Sequence, residues 1–109
     1  METIQSDIFA ADVSKAMEEK YGFLITILTI IQIIAAVIQI YQFCNKDAER
    51  VCDDIKSMSM LNKVVFKRVI KRYVPDTTPK MREAILVEII NKAKELSKEQ
   101  VNVIMAELN

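Results

Sequence analysis

The stretch from Gly22 to Phe43 contains 22 residues and no charged side chain. A helix over this stretch would be about 33 Å long at ~1.5 Å per residue, and the hydrocarbon core of a bilayer is about 30 Å thick. No Pro, Asn or Asp interrupts the stretch, so it lacks the turn signals of a hairpin. The pattern therefore predicts one uninterrupted Ile-rich helix over residues 22–43 that spans a membrane.

The small and polar residues of this stretch fall on one side of the predicted helix, within an arc of roughly 140° at ~100° per residue. They are Gly22, Thr26, Thr29, Gln32, Ala36 and Gln39. Small residues let helix backbones approach each other in lipid, and Thr and Gln side chains hydrogen-bond between helices. Because a Gln amide without a partner is costly in hydrocarbon, this side predicts self-association with another copy of the chain.

A soluble assembly is the alternative interpretation of the same stretch. It would then be the central helix of an all-helical assembly subunit, for example of a virus particle, and would be buried between copies. The protein would be a soluble multimer or a virion component. The solvent-facing side of a helix usually carries Lys or Glu, and this side carries neither, which favours the membrane.

The rest of the chain predicts further helices. Its 109 residues include one Gly and two Pro, so turn signals are scarce and an all-α fold is expected. We expect four segments: an amphipathic helix in 1–21, the span in 22–43, amphipathic helices in 44–74 and a helical hairpin in 75–109.

Two local signals mark helix starts in the carboxyl-terminal segment. Thr78 is followed by Pro79, which is an N-cap residue followed by the residue best suited to the first helical position. Ser97 and Gln100 have the spacing of a capping box. We therefore expect one helix to start at Pro79 and the last helix to start directly after Ser97.

Five basic residues and no acidic residue lie between Ser59 and Val74. They are Lys63, Lys67, Arg68, Lys71 and Arg72. Their spacing of four places them in a stripe on one helix. Such a helix beside a span can bind anionic lipid head groups, and this is the predicted role. Nucleic acid phosphates are a weaker alternative, because the chain carries 15 basic and 15 acidic residues and has no net charge.

The basic residues near the ends of the span predict its orientation. Lys15 and Lys20 precede it, whereas Lys46, Arg50 and Lys56 follow it. Since cytoplasmic flanks carry more Lys and Arg, we expect the carboxyl-terminal region to be cytoplasmic.

No catalytic motif is visible in the sequence. His is absent, and the two Cys residues do not form a CxxC pair, so neither a common general base nor a zinc site is expected. The motifs of phosphate-binding loops and of dinucleotide-binding sites are also missing. We predict that the protein is not an enzyme and has no catalytic residue, metal or cofactor.

The predicted function is that of a structural or scaffolding oligomer in a membrane, with a small pore as a variant. Its predicted partners are other copies of itself, the lipid bilayer and a second protein bound by the carboxyl-terminal helices.

Overall fold

Six α-helices make up the fold of the computed structural model, which describes residues 4–44 and 47–108 without the side chain of Ala48. They are α1 (Gln5–Tyr21), α2 (Ile27–Cys44), α3 (Ala48–Ile55), α4 (Met60–Tyr73), α5 (Pro79–Glu95) and α6 (Lys98–Leu108). No strand occurs in these ranges, so the predicted all-α class is confirmed. Residues 1–3, Lys46 and Asn109, which entered the predictions above, lie outside the described residues.

The apolar helix α2 starts later than the sequence pattern predicts. Gly22 has a φ of 64°, in the left-handed region, and its N–H binds the carbonyl of Glu18, which ends α1. Residues 22–26 are not helical, and the Thr26 hydroxyl accepts a 3.2 Å hydrogen bond from the Thr29 N–H. This cap starts α2 at Ile27 rather than at residue 22. The 18 residues of α2 are therefore about 27 Å long, slightly short of a bilayer core.

The predicted start signals of the last two helices are confirmed. The Thr78 hydroxyl accepts a hydrogen bond from the Met81 N–H, and Pro79 is the first residue of α5. At the start of α6, the Ser97 hydroxyl accepts from the Gln100 N–H, while the Gln100 side chain accepts from the Ser97 N–H. These reciprocal bonds are the two halves of a capping box.

The apolar helix α2 lies at the centre of the bundle, where it packs against α1, α3, α4 and α6. Six of its 18 residues are buried, and all six lie on one side of the helix: Ile30, Ile33, Ile34, Val37, Ile38 and Tyr41. They join one hydrophobic core with the buried residues of the other helices. The large apolar side chains on this side of α2 are thus largely covered by protein.

The overall dimensions agree with a folded bundle. The radius of gyration is 13.0 Å, close to the ~13 Å of a globular domain of about 100 residues. The molecule measures 37 × 35 × 20 Å, so its shortest dimension corresponds to two layers of helices. In so thin a molecule, a central helix keeps one side at the surface.

The described part of the predicted hairpin, residues 75–108, contains two helices, but these do not pack mainly against each other. Instead, α5 packs against α1 and α4, and α6 packs against α1, α3 and α2. The Glu107 carboxylate at the end of α6 accepts hydrogen bonds of 2.9 Å and 2.8 Å from the backbone N–H groups of Gln5 and Ser6. Lys20 of α1 forms a 2.8 Å ion pair with Glu88 of α5. These contacts connect α1 to α5 and α6.

Candidate functional site: an uncharged helix face and a basic pocket

The side of α2 opposite the core is exposed and carries no charge. Leu28 near its start is 64% exposed, and Phe43 near its end is 87% exposed. Gln32 and Gln39 are exposed between them, and Ala36 is half-buried. At ~100° per residue, these five side chains lie within about 80° of one another. We call the surface formed by Leu28, Gln32, Ala36, Gln39 and Phe43 the α2 face.

The six residues predicted to form an oligomer surface do not form one continuous helix face, because α2 starts later than predicted. Gln32, Ala36 and Gln39 belong to the α2 face. Thr26 and Thr29 lie at the amino-terminal cap, where their hydroxyl groups are 2.8 Å apart and hydrogen-bonded. Gly22 lies outside the helix. The predicted surface is therefore shorter than expected, and the large residues Leu28 and Phe43 extend it at both ends.

Two open grooves lie beside the α2 face. One, of about 410 Å³, separates α2 from the end of α4, and Phe43, Gln39 and Tyr73 are among the residues that line it. The other, of about 380 Å³, lies between α2, α3 and α4 and is lined in part by Ile40 and Leu61. The surface around the α2 face is thus indented and mostly uncharged, although Arg72 borders the first groove and Arg50 and Asp54 border the second.

Three of the five basic residues of α4 line a pocket with α5, and the other two do not. Lys67, Arg68 and Lys71 line an open pocket of about 230 Å³ together with Pro79 and Arg82 of α5. We call this site the basic pocket. Lys63 is half-buried and does not line it. Arg72 lies at the groove beside α2, with its guanidinium carbon 5.9 Å from the ring centre of Tyr73.

The cations of the basic pocket differ in their partners. Lys67 forms a 2.7 Å ion pair with Glu83, and this hydrogen bond holds the pKa of Glu83 below its usual value. Arg82 donates a hydrogen bond from Nη1 to the carbonyl oxygen of Thr77. Within the described residues, Arg68 and Lys71 have no ion-pair partner. The pocket therefore retains cationic groups that no carboxylate neutralises.

Sequence analysis missed Arg82 as a member of this cluster. The signal was present, because the loop between Tyr73 and Pro79 is short and the Thr78–Pro79 pair marks where α5 begins. A short loop brings the first turn of one helix next to the last turns of the helix before it. Arg82 lies in the first turn of α5 and therefore next to the end of α4.

The buried thiol of Cys52 is part of the core. Its Sγ lies 3.3 Å from the side-chain oxygen of Asn102 and 3.4 Å from the sulfur of Met105. Burial raises the pKa of Cys52, and the neighbouring Asp53 raises it further. A thiolate is therefore disfavoured at neutral pH, and this arrangement suits packing rather than nucleophilic chemistry. The described residues contain no group of three or more Cys, Asp or Glu side chains able to hold a metal ion.

Comparisons with protein-family models, curated proteins and solved structures find no match to this chain. Among the described residues, α2 is the one helix that is long and apolar enough to cross a membrane, with a mean hydropathy of 2.0. A core helix of a soluble protein meets the same criterion. The physical properties of the α2 face and the basic pocket are therefore the observations that bear on function.

Proposed function

We propose that this protein is a non-enzymatic structural subunit whose copies associate through the α2 face. The observation that supports the proposal is that the two opposite sides of α2 have different environments. One side lies in the core, whereas the opposite side is uncharged and exposes Leu28 and Phe43. An uncharged helix face that exposes large apolar side chains is typical of an interaction site.

The residues of the α2 face are arranged symmetrically along the helix. Gln32 and Gln39 are equally far from the midpoint between Ala35 and Ala36, and Leu28 and Phe43 are also equally far from it. If two copies of α2 pair in antiparallel orientation about this midpoint, each Gln32 faces Gln39 of the other copy. Each Leu28 then faces the other copy's Phe43. A two-fold interface requires such self-complementarity.

The chemistry of these residues suits a second copy of the same surface. A Gln amide both donates and accepts hydrogen bonds, so Gln32 and the facing Gln39 can satisfy each other. Because the α2 face carries no charge, it meets itself without repulsion between like charges. The small side chains of Ala35 and Ala36 lie at the crossing point, where they permit close approach of the two helices. We therefore expect an antiparallel dimer.

The packing of α2 favours assembly in water over insertion as a free span. Its buried side contacts four other helices, and these contacts would be lost if α2 alone entered a bilayer. The core residues of α1, α3, α4 and α6 that pack against α2 would then be exposed to water. That cost is absent when α2 stays in the bundle and only its exposed side is covered by another copy.

Disulfide trapping tests both the interface and its direction. Gln32→Cys and Gln39→Cys are made in separate chains, each with Cys44→Ser. In the antiparallel dimer the two introduced thiols face each other only when the chains are mixed. Two copies of the Gln39→Cys chain place their thiols roughly 10 Å apart along the helices, which is too far for a disulfide. We expect a cross-linked dimer from the mixture and little from either chain alone.

The other possible patterns have different meanings. Efficient cross-linking of each chain with itself would indicate parallel helices and contradict the antiparallel arrangement. Asn91→Cys, at an exposed position on α5, is the control. If it cross-links as efficiently as the mixture of the two chains, the cross-links result from random collisions. No cross-linking in any combination would contradict the proposed use of the α2 face.

A membrane-spanning subunit remains a second candidate, because α2 has a mean hydropathy of 2.0 over 18 residues. In this candidate the carboxyl-terminal region is cytoplasmic and the polar side of α2 faces other copies or a small pore. Extraction of a membrane pellet with alkaline carbonate separates the two candidates. A spanning protein stays in the pellet until detergent is added, whereas the aqueous dimer is soluble without detergent.

A further inference from the structure

We infer that the basic pocket binds a phosphate monoester group. The described residues that line it are Pro79 and four cationic side chains, with no carboxylate: Lys67, Arg68, Lys71 and Arg82. This inference does not depend on the α2 face, because the pocket is formed by α4 and α5.

The positive charges around the pocket are not all neutralised by carboxylates, which favours the binding of an anion. Glu83 pairs with Lys67, but Arg68 and Lys71 have no ion-pair partner in the described residues. Cations gathered around one pocket repel one another, and a bound anion relieves this repulsion. A phosphate monoester carries nearly two negative charges at neutral pH, whereas a carboxylate or a phosphodiester carries one. The pocket therefore favours the monoester.

Arg82 is positioned to bind two phosphate oxygens through its guanidinium group. Its Nη1 donates to the carbonyl oxygen of Thr77, in the loop that connects α4 to α5. This bond fixes the orientation of the guanidinium group and uses one of its five N–H donors. The remaining donors are free to form the paired hydrogen bonds that arginine makes with phosphate.

The position of Pro79 adds a second source of positive potential. Pro79 is the first residue of α5, a helix of 17 residues, so the positive end of the helix dipole lies at the pocket. The dipole alone is a weak attraction, but here it has the same sign as the four side chains. Both contributions favour an anion at the same place.

The size of the pocket limits the ligand to one small charged group. Its volume of about 230 Å³ is below the roughly 300–1,000 Å³ of sites that enclose a drug-sized molecule. The pocket is open, so a larger molecule can place its phosphate inside and extend outward. A free phosphate compound and a lipid head group such as phosphatidic acid both have this chemistry.

The structure disfavours nucleic acid as the source of the phosphate. Duplex binding uses a track of several phosphate contacts along the surface. Here three basic residues of α4 gather with Arg82 around one small pocket, which Lys63 and Arg72 do not line, so the pocket offers one compact anion site rather than several in a row. The zero net charge of the chain also provides no general attraction to a polyanion.

A titration with two arms tests the inference and identifies the source. In the first arm, inorganic phosphate is added to the full, isotopically labelled protein at constant ionic strength, and amide chemical shifts are recorded by NMR. In the second, the protein is mixed with phosphatidylcholine vesicles that contain phosphatidic acid or, at matched surface charge, phosphatidylglycerol. We expect saturable shifts around residues 67–71 and 79–82, or preferential binding to phosphatidic acid vesicles. Response in the first arm indicates a soluble compound, and response in the second alone indicates a lipid.

Two pairs of substitutions provide matched controls on α4. Arg68→Gln removes a charge that lines the pocket, whereas Arg72→Gln removes the same charge one turn away. Lys71→Gln and Lys63→Gln form the equivalent lysine pair. We expect about tenfold weaker binding for Arg68→Gln and Lys71→Gln and a change of less than about threefold for their controls, since a charge-assisted hydrogen bond is lost only in the first set.

Three results would overturn the inference. One is the absence of saturable shifts together with equal binding to both kinds of anionic vesicle. Another is an equal loss of binding in Arg68→Gln and Arg72→Gln, which would indicate diffuse attraction rather than a pocket. The third is binding to duplex nucleic acid alone, with no response to phosphate or to phosphatidic acid.

Discussion

The hydroxyl group of Tyr41 donates a 2.6 Å hydrogen bond to the side-chain oxygen of Asn62. The amide nitrogen of Asn62 in turn donates to the carbonyl oxygens of Ile55 and Ser57, and Asn62 is only 1% exposed. These bonds join α2 to α4 and to the end of α3. Because a buried polar group without a partner is costly, this network fixes the position of α2 relative to both helices.

Removal of the Tyr41 hydroxyl should destabilise the bundle. Tyr41→Phe keeps the ring but leaves the Asn62 oxygen buried without this donor, at a cost of about 1–3 kcal/mol in the free energy of unfolding. Urea denaturation followed by circular dichroism measures this change. Tyr21→Phe, at an exposed position, is the control and should have little effect. Equal stability of both variants would show that α2 does not pack against Asn62.

The two sides of α2 should respond differently to truncation of isoleucine. Ile33 is fully buried, and Ile33→Ala should cost about 2–5 kcal/mol, because it removes a core side chain and leaves a cavity. Ile40 is 41% exposed, so Ile40→Ala should cost less than half as much. Denaturation at low protein concentration, where assembly is weak, gives both values. Similar small effects at both positions would contradict the burial of one side of α2.

The contact between Glu107 and the start of α1 should give an acid-sensitive contribution to stability. Slight burial would raise the pKa of Glu107, but the hydrogen bonds from Ser6 and Gln5 outweigh it and hold the pKa below 4.5. A group with a lowered pKa stabilises the fold above its unfolded pKa, and this contribution is lost as the pH falls through the folded value. We therefore expect Glu107→Gln to be less stable than the original chain above about pH 5.

As the pH falls below 4.5 and through the lowered pKa of Glu107, the free energies of unfolding of the same two proteins should converge. Glu18→Gln controls for loss of one carboxylate on the exposed surface of α1. A constant difference between Glu107→Gln and the original chain down to pH 2 would contradict the assigned contact.

The two cysteines should differ in their reactivity toward iodoacetamide. Cys44 is exposed at the end of α2, whereas Cys52 is buried and burial raises its pKa. Since the thiolate is the reactive form, mass spectrometry after brief treatment at pH 8 should find one modified cysteine, Cys44. Modification of Cys52 should require denaturant. Equal rates at both sites in the native protein would show that α3 does not pack as described.

Local signals in the sequence predicted several helix boundaries correctly. The starts of α5 and α6 follow from Thr78, Pro79 and the Ser97–Gln100 pair, because a cap is formed by residues close in sequence. The predicted start of α2 was wrong because a hydropathy pattern contains no information about helix caps. Gly22 and Thr26 already carried the needed information, since glycine ends helices and threonine begins them.

The environment of α2 could not be predicted from the sequence of the helix itself. A core helix and a membrane span have the same length and hydropathy, so the choice depends on what the remaining helices cover. That coverage comes from helices that are distant in sequence, such as α4 and α6, which pack against α2. The basic pocket likewise needed Arg82 from a second helix. The cations of α4 were visible in the sequence, but which of them line a pocket with α5 was not.

Sedimentation equilibrium of the purified chain without detergent tests the proposed association most directly. The chain has a mass of 12.5 kDa, and we predict a reversible equilibrium between this mass and twice this mass. Gln32→Glu with Gln39→Glu should shift the equilibrium to the monomer, because the introduced carboxylates face each other between the copies. The matched variant Asn91→Asp with Gln100→Glu should not. A single 12.5 kDa species at every concentration, or aggregation that only detergent relieves, would contradict the account.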